Sequence, residues 1–110
     1  MNSDFDLKKK VDRDLVQNKL EEYGYYSTFE PDWYPGVNLK YYFNERNNNC
    51  GICKCSGICH GKGTGNGDGE CKGVTIAIFE KGKILITGAR NKDQLITCKN
   101  FIEHFINNKI

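Results

Sequence analysis

A cysteine- and glycine-rich segment divides the chain in two, and it constrains the fold more than any other feature. Five of the six cysteines lie between Cys50 and Cys71, inside a stretch over residues 44–72 that holds few residues suited to a hydrophobic core. Regular apolar patterning lies only before and after that stretch. A chain of 110 residues favours one compact domain with a modest core. The sequence therefore predicts a single domain over residues 1–110, with an irregular insertion over residues 44–72.

The patterning outside the insertion predicts an α+β fold. The first part indicates a strand over residues 5–9, a helix from the N-cap Asp12 to Gly24, an aromatic loop over residues 25–36, and a strand over residues 36–43. The last part indicates a hairpin of residues 74–79 and 83–87, then a helix that begins at Asn91 with Gln94 as a capping-box partner. This order predicts an antiparallel sheet with both helices on one side.

Both faces of the predicted hairpin are largely apolar. One set of side chains is Val74, Ile76, Ile78, Ile84 and Ile86, and the opposite set is Thr75, Ala77, Phe79, Leu85 and Thr87. A sheet with one solvated face normally shows polar residues in one of two such sets. The first set can pack beneath the helices, which leaves an apolar face flanked by Lys40, Lys83 and Arg90. That face predicts a ligand surface rimmed by cations; a sheet buried on both faces, or a dimer interface, is the alternative.

Three segments resemble the TATA-box-binding protein family. Residues 29–37 (FEPDWYPGV) are similar to the family's stirrup segment, and residues 76–79 with 82–90 (IAIF and GKILITGAR) resemble its most recognisable strand pair. Residues 2–7 and the helix after them are similar to the start of the same repeat. The resemblance implies one half-saddle repeat, in which a curved antiparallel sheet carries two helices on its convex face. A saddle then needs a homodimer or a second half, and a twofold dimer is the simplest arrangement.

The same resemblance implies a transcription initiation factor that binds double-stranded DNA and works with the transcription machinery. In the family the concave sheet face enters an A·T-rich minor groove, where apolar wedges unstack bases and bend the duplex. The DNA-binding residues that it implies are a wedge pair of Tyr34 and Phe79, groove-floor contacts from Ala77, Leu85 and Thr87, phosphate contacts from Lys40, Lys83 and Arg90, and Asn38 beside them. The alternative is a protein-interaction module of the same fold that no longer binds DNA.

The cysteine spacing predicts a structural zinc site. The pattern is C-x2-C-x-C-x3-C-H, and eleven residues separate Cys59 from the last cysteine of the segment. Close-spaced thiolates suit tetrahedral zinc, and glycines let a loop wrap around the ion. The expected ligands are Cys53, Cys55, Cys59 and Cys71, with Cys50 and His60 as alternates; disulfides and free thiols are the other interpretations. Such an insertion also resembles those of TATA-binding-like proteins of large cytoplasmic DNA viruses.

Charge and the other motifs narrow the function classes. The net charge is only +2, so DNA binding cannot rest on phosphate contacts alone. No apolar run has the length of a membrane span, and no secretory signal is visible, so we expect an intracellular protein with no membrane partner. Its place would be the host cytoplasm or the virion if it is viral, and the nucleus otherwise. The glycine run after His60 lacks phosphate-loop spacing and is expected to be a flexible arm. No catalytic constellation surrounds His60 or His104, so we expect no enzyme.

Overall fold

The computed structural model describes all 110 residues, and it shows five antiparallel strands and two helices. The elements are β1 (Ser3–Asp6), α1 (Arg13–Glu22), β2 (Tyr26–Thr28), β3 (Val37–Phe43), β4 (Lys72–Ile78), β5 (Lys83–Thr87) and α2 (Lys92–Lys109), with a short 3-10 helix at Glu45–Asn47. The strands lie in the order β1-β5-β4-β3-β2, and each neighbouring pair is antiparallel. The predicted α+β class is confirmed.

The two helices cover one face of the sheet. Burial alternates along β3, so that every second side chain, beginning with Val37, enters the core. These side chains form one cluster with Val16 and Leu20 of α1 and with Ile102 and Phe105 of α2. The hairpin set predicted to pack beneath the helices is fully buried: Val74, Ile76, Ile78, Ile84 and Ile86. Burial of each aliphatic side chain stabilises the fold by about 1.5–3 kcal/mol.

Side-chain caps fix where the helices begin. The Asp12 carboxylate accepts the N–H of Leu15 at 3.1 Å, and the Asn91 side chain accepts the N–H of Gln94 at 2.9 Å, so both predicted N-caps are confirmed. The Gln94 side chain accepts the N–H of Arg90 at 2.8 Å, one residue before the position that a capping box uses. Neither helix has the length and apolar character that crossing a bilayer would require.

Two predicted segments differ from the structure. Strand β1 ends at Asp6 rather than at residue 9. The Asp6 carboxylate accepts the N–H of Lys8, and the chain turns at Lys8, whose φ is 59°. The predicted aromatic loop contains the three-residue strand β2, whose Ser27 lies buried and pairs with Leu39. Three residues are too few for a period-2 pattern to stand out from a loop.

The insertion packs against the end of the β3–β4 hairpin. Gly51 bridges Tyr42 on one side of the hairpin, and Lys62 bridges Lys72 on the other. The N–H of Gly63 donates to the Cys71 carbonyl at 3.0 Å, and a Cβ at Gly63 would overlap the Glu70 backbone. The flexible-arm prediction is therefore wrong for this part of the glycine run, where close backbone contact, rather than freedom, calls for glycine.

Candidate functional site

The sheet face opposite the helices carries most of the residues implied to bind DNA, and we call it the open face. Paired residues of antiparallel strands point to the same side, so strand register identifies its members. They are Asp4, Asp6, Tyr26, Thr28, Asn38, Lys40, Tyr42, Thr75, Ala77, Lys83, Leu85 and Thr87. Ala77 lies at the centre, paired with Asn38 on one side and Leu85 on the other. The middle of the open face thus holds Ala77, which is 4% exposed, between the apolar Leu85 and the polar Asn38.

Tyr34 and Phe79 form an aromatic pair at one end of the open face. Their ring centroids lie 5.7 Å apart, with an interplanar angle of 60°. Both rings pack over Gly36, where an added Cβ would come within 3.0 Å of Tyr34 and 3.1 Å of Phe79. Tyr34 is 38% exposed. The structure therefore brings the two implied wedge residues together and leaves them within reach of a ligand.

Arg13 of α1 connects the two loops that carry this pair. Its guanidinium donates to the Pro35 carbonyl at 2.7 Å and to the Glu80 carboxylate at 3.3 Å. The same group lies 4.9 Å from the centre of the Phe29 ring, a cation–π distance. The planar fork of arginine can serve two acceptors at once, which a lysine ammonium does less well. The helix thereby fixes the position of the loop before β3 relative to the β4–β5 turn.

The three implied phosphate-contacting cations each have a partner inside the protein. The Lys40 ammonium donates to the Thr75 hydroxyl, and Arg90 donates to the Gly63 carbonyl at 2.7 Å. Lys83 forms an ion pair with Asp4 at 2.8 Å; this hydrogen bond and charge lower the pKa of Asp4 and raise that of Lys83. Both side chains of this pair are about half exposed, so solvent screens it and either can exchange partners.

Four cysteines of the insertion meet in one cluster. The sulfurs of Cys53, Cys55, Cys59 and Cys71 all lie within 4.8 Å of one another, and those of Cys55 and Cys71 are 3.5 Å apart. Tetrahedral zinc with Zn–S bonds of about 2.3 Å needs sulfurs about 3.8 Å apart. All of the cysteines are free thiols. The predicted ligand set therefore forms a possible metal site, and the donor type and spacing fit zinc.

Two N–H···S hydrogen bonds support the cluster. Gly69 donates its N–H to the Cys55 sulfur at 3.0 Å, which lowers the pKa of that thiol. The Asn44 amide donates to the Cys71 sulfur at 3.3 Å, although burial still raises the pKa of Cys71 to about 12. Asn44 is itself only 2% exposed and also donates to the Gly67 carbonyl at 2.8 Å. Such outer hydrogen bonds orient metal ligands and tune their charge.

The remaining candidate ligands lie outside the cluster. Cys50 contacts the Ile52 carbonyl at 3.8 Å, and His60 is exposed; neither belongs to the group of four. Cys98 is fully buried in the helix–sheet core, where desolvation raises its pKa to about 12. Of the two alternates and the core cysteine, none joins the possible metal site.

No protein-family model matches the sequence, and no curated protein matches it. Two residues that shape the sites were absent from the sequence interpretation, namely Arg13 and Asn44. Arg13 lies in an ordinary amphipathic helix, and Asn44 precedes a polar segment with three more asparagines at 47–49, so no pattern separates either residue from its neighbours. Both act through tertiary contacts.

Proposed function

We propose that this protein is a DNA-binding module of transcription initiation that places its open face in an A·T-rich minor groove. The observation that carries the proposal is a sheet face that no helix covers, with Ala77 and Leu85 at its centre and the Tyr34–Phe79 pair at one end. The helices occupy the other face, so a duplex can approach without rearrangement of the core. The resemblance of the 29–37 and 76–90 segments to TATA-box-binding proteins supports the same function.

The proposed mechanism relies on wedging and shape more than on charge. Phe79 and Tyr34 insert at a base step, unstack it and kink the duplex toward the major groove. Leu85 presses on the groove floor beside Ala77, which is only 4% exposed, and the Thr87 hydroxyl donates to the acceptors that A·T pairs present there. The Tyr34 hydroxyl loses water on insertion, so Phe79 contributes the larger share of the wedge energy.

Two cations of the open face, Lys40 and Lys83, and Arg90 after β5 exchange partners on binding. Lys40, Lys83 and Arg90 leave the Thr75 hydroxyl, the Asp4 carboxylate and the Gly63 carbonyl for phosphate oxygens. With three such contacts, the logarithm of the binding constant falls with the logarithm of salt concentration at a slope of about −3. This modest salt dependence agrees with the small net charge of the chain.

The cysteine cluster is proposed to hold one structural zinc ion. Cys53, Cys55, Cys59 and Cys71 supply four thiolates, the closed ligand set of structural sites, and leave no open position for a reacting molecule. Bound zinc supplies a cross-link between the two arms of the insertion. Hydrogen bonds between the same two arms reinforce this link. The Asp68 carboxylate accepts the backbone N–H of Ser56 at 2.7 Å and the Ser56 hydroxyl at 3.0 Å. The ion thereby holds the insertion against the end of the β3–β4 hairpin.

Fluorescence anisotropy with two labelled duplexes tests the proposal. Zinc-loaded protein is titrated into an A·T-rich duplex and a G·C-rich duplex, with Phe79→Ala as the variant. We expect tighter binding to the A·T-rich duplex and a loss of about tenfold with Phe79→Ala, because one base–aromatic contact is worth about 1–3 kcal/mol. Equal, weak binding to both duplexes that Phe79→Ala leaves unchanged would exclude the proposed mechanism.

A protein-docking function of the same face is the second candidate. It is favoured by the two carboxylates on the open face, Asp4 and Asp6, and by Trp33, which is 86% exposed beside the aromatic pair. An exposed tryptophan is a typical centre of a protein interface. A complex formed through this face that is insensitive to salt, together with no DNA preference, would select this function.

A further inference from the structure

The edge of the sheet at β1 is open to a further strand. β1 is the first strand in the sheet order and pairs only with β5. An edge strand presents unpaired backbone N–H and C=O groups, and these groups are a template for pairing with another chain. A second half that joins at this edge extends the sheet and continues the open face. The identity of that half is therefore constrained by the side chains that flank β1.

The open-face side of this edge is acidic. Asp4 and Asp6 pair with Leu85 and Lys83 in the register, so both carboxylates point to the open face. Asp4 is 56% exposed, and its cation partner Lys83 lies on the inner neighbour β5, away from the free edge. The Asp6 carboxylate accepts the Lys8 N–H at 2.7 Å and forms no ion pair. An incoming strand therefore meets two negative side chains on this face.

The helix side of the same edge is apolar with a basic rim. A groove of about 320 Å³ runs between β1 and α2, and Phe5, Ile86, Leu95 and Ile96 line it together with Lys92 and Lys99. Ile96 is 53% exposed, and the Lys99 ammonium lies 5.3 Å from the centre of the Phe5 ring and 3.9 Å from Glu103. The two sides of the edge thus carry opposite charge, with carboxylates on the open face and ammonium groups over the groove.

Pairing with a second copy would set like charges against each other on both sides. A twofold dimer is isologous, so each patch meets itself. Two antiparallel registers keep the open face continuous and pair three residues of β1, and they place Asp4 opposite its own copy or opposite Asp6. The Cβ atoms would then lie about 5 Å apart, and like charges in that position are destabilising. A register shifted by one residue is not available, because the backbone N–H and C=O groups that β1 leaves free belong to alternate residues and would no longer meet those of the second copy. The lysine rim would likewise face itself.

We propose that β1 pairs with a half of different sequence whose charges are the reverse of these. Its edge strand carries Lys or Arg on the open face, opposite Asp4 and Asp6, and its helix layer carries Asp or Glu opposite Lys92 and Lys99. An apolar side chain of that half fills the groove beside Phe5. The inference rests on the proposed function only in requiring a continuous open face. Of the two arrangements expected from the sequence, a homodimer or a separate second half, it favours the separate half and a heteromeric saddle.

Sedimentation velocity of zinc-loaded protein tests this inference without DNA, so its failure is distinct from failure of the proposed DNA binding. The wild type is mixed with a charge-reversed variant, Asp4→Lys/Asp6→Lys/Lys92→Glu/Lys99→Glu, whose fold is checked by circular dichroism. We expect each protein alone to be monomeric at low salt and the mixture to form a dimer that salt dissociates. A wild-type dimer, or a folded variant whose mixture stays monomeric, would overturn the inference.

A neutral variant keeps the test decisive if the reversed variant does not fold. Asp4→Asn/Asp6→Asn removes the repulsion on the open face without adding charge, and self-association is expected to become about tenfold tighter. The matched control is Glu21→Gln/Glu22→Gln, which changes the net charge by the same amount. These two residues lie on α1, which packs on β2 and β3 at the opposite edge of the sheet from β1. Equal self-association of the two variants would contradict the inference.

Discussion

The side-chain amide of Asn44 donates a hydrogen bond to the Cys71 sulfur at 3.3 Å, and this bond connects the end of β3 to the cysteine cluster. Asn44→Ala is expected to weaken zinc binding by about 10–100-fold, because outer hydrogen bonds orient and stabilise thiolate ligands. Asn44→Asp should weaken it at least as much, since a carboxylate can still accept the Arg46 N–H but has no donor for the sulfur. Competition with a chromophoric chelator measures both affinities.

The control for this prediction is Asn66→Ala. Asn66 is an exposed asparagine of the same insertion, with no hydrogen bond to the cluster. Its replacement is expected to leave the zinc affinity unchanged. If Asn44→Ala bound zinc as tightly as Asn66→Ala does, the bond to Cys71 would have no part in holding the metal.

The number of cysteines that react with an alkylating reagent is expected to show whether metal is bound and whether Cys98 is buried. With zinc bound, an alkylating reagent at neutral pH should modify Cys50 alone among the six cysteines, because four are ligands. Cys98 is buried, and its pKa of about 12 leaves almost no thiolate to react. After chelation Cys53, Cys55 and Cys59 should react as well, while Cys71, fully buried with a pKa of about 12, should stay as slow as Cys98 until denaturation exposes all six thiols, as counted by mass spectrometry. Rapid labelling of all four cluster cysteines in zinc-treated protein would contradict a closed metal site.

Arg13→Ala is expected to loosen the loop before β3. The substitution removes the hydrogen bonds to Pro35 and Glu80 and the contact with Phe29, and should cost about 1–2 kcal/mol of unfolding free energy. Trp33 is the only tryptophan and lies in this loop, so its fluorescence anisotropy should fall as the loop becomes more mobile.

Two further variants define the role of Arg13. Arg13→Lys keeps the charge but loses the two-acceptor fork, and should restore only part of the Trp33 anisotropy. Lys81→Ala changes an exposed cation of the neighbouring turn and should alter nothing. Unchanged anisotropy in Arg13→Ala would show that the loop is held by its own packing.

Gly36→Ala is expected to disturb the aromatic pair and leave the core intact. The new methyl group would lie 3.0 Å from Tyr34 and 3.1 Å from Phe79, so one ring must move. We expect the affinity for the A·T-rich duplex to fall by about tenfold. One base–aromatic stacking contact is worth about 1–3 kcal/mol, and a displaced ring loses part of that energy. Gly57→Ala, where an added Cβ meets nothing within 4 Å, is the control. Equal affinities of the two variants would separate the aromatic pair from DNA binding.

The sequence predicted the parts of the fold that local patterning specifies. The N-caps Asp12 and Asn91 were identified because a side-chain acceptor before an apolar helical repeat has few other interpretations. Strand β5 has the predicted bounds, since a hairpin turn and a glycine delimit a short run rich in β-branched residues. Four cysteines that span the loop are the predicted metal ligands, and the structure brings those four together.

The remaining features depend on contacts between residues distant in the sequence. The Asp6 side chain ends β1 early, and no periodicity encodes that turn. Glycines such as Gly63 resemble those of a flexible linker, yet the neighbouring Glu70 backbone leaves no room for a side chain there. The charge contrast across the β1 edge likewise requires the strand register, which places Asp4 on one face, and the position of α2, which places Lys99 over the other.

Bending of DNA by the Tyr34–Phe79 pair is the central claim, and energy transfer between dyes at the two ends of an A·T-rich duplex measures it most directly. At saturating protein, we expect the wild type to shorten the end-to-end distance, because an inserted wedge kinks the duplex. Phe79→Ala, compared at its own saturation, should leave the duplex nearly straight. Saturated binding of the wild type with no change in transfer, or equal bending by Phe79→Ala, would contradict the account.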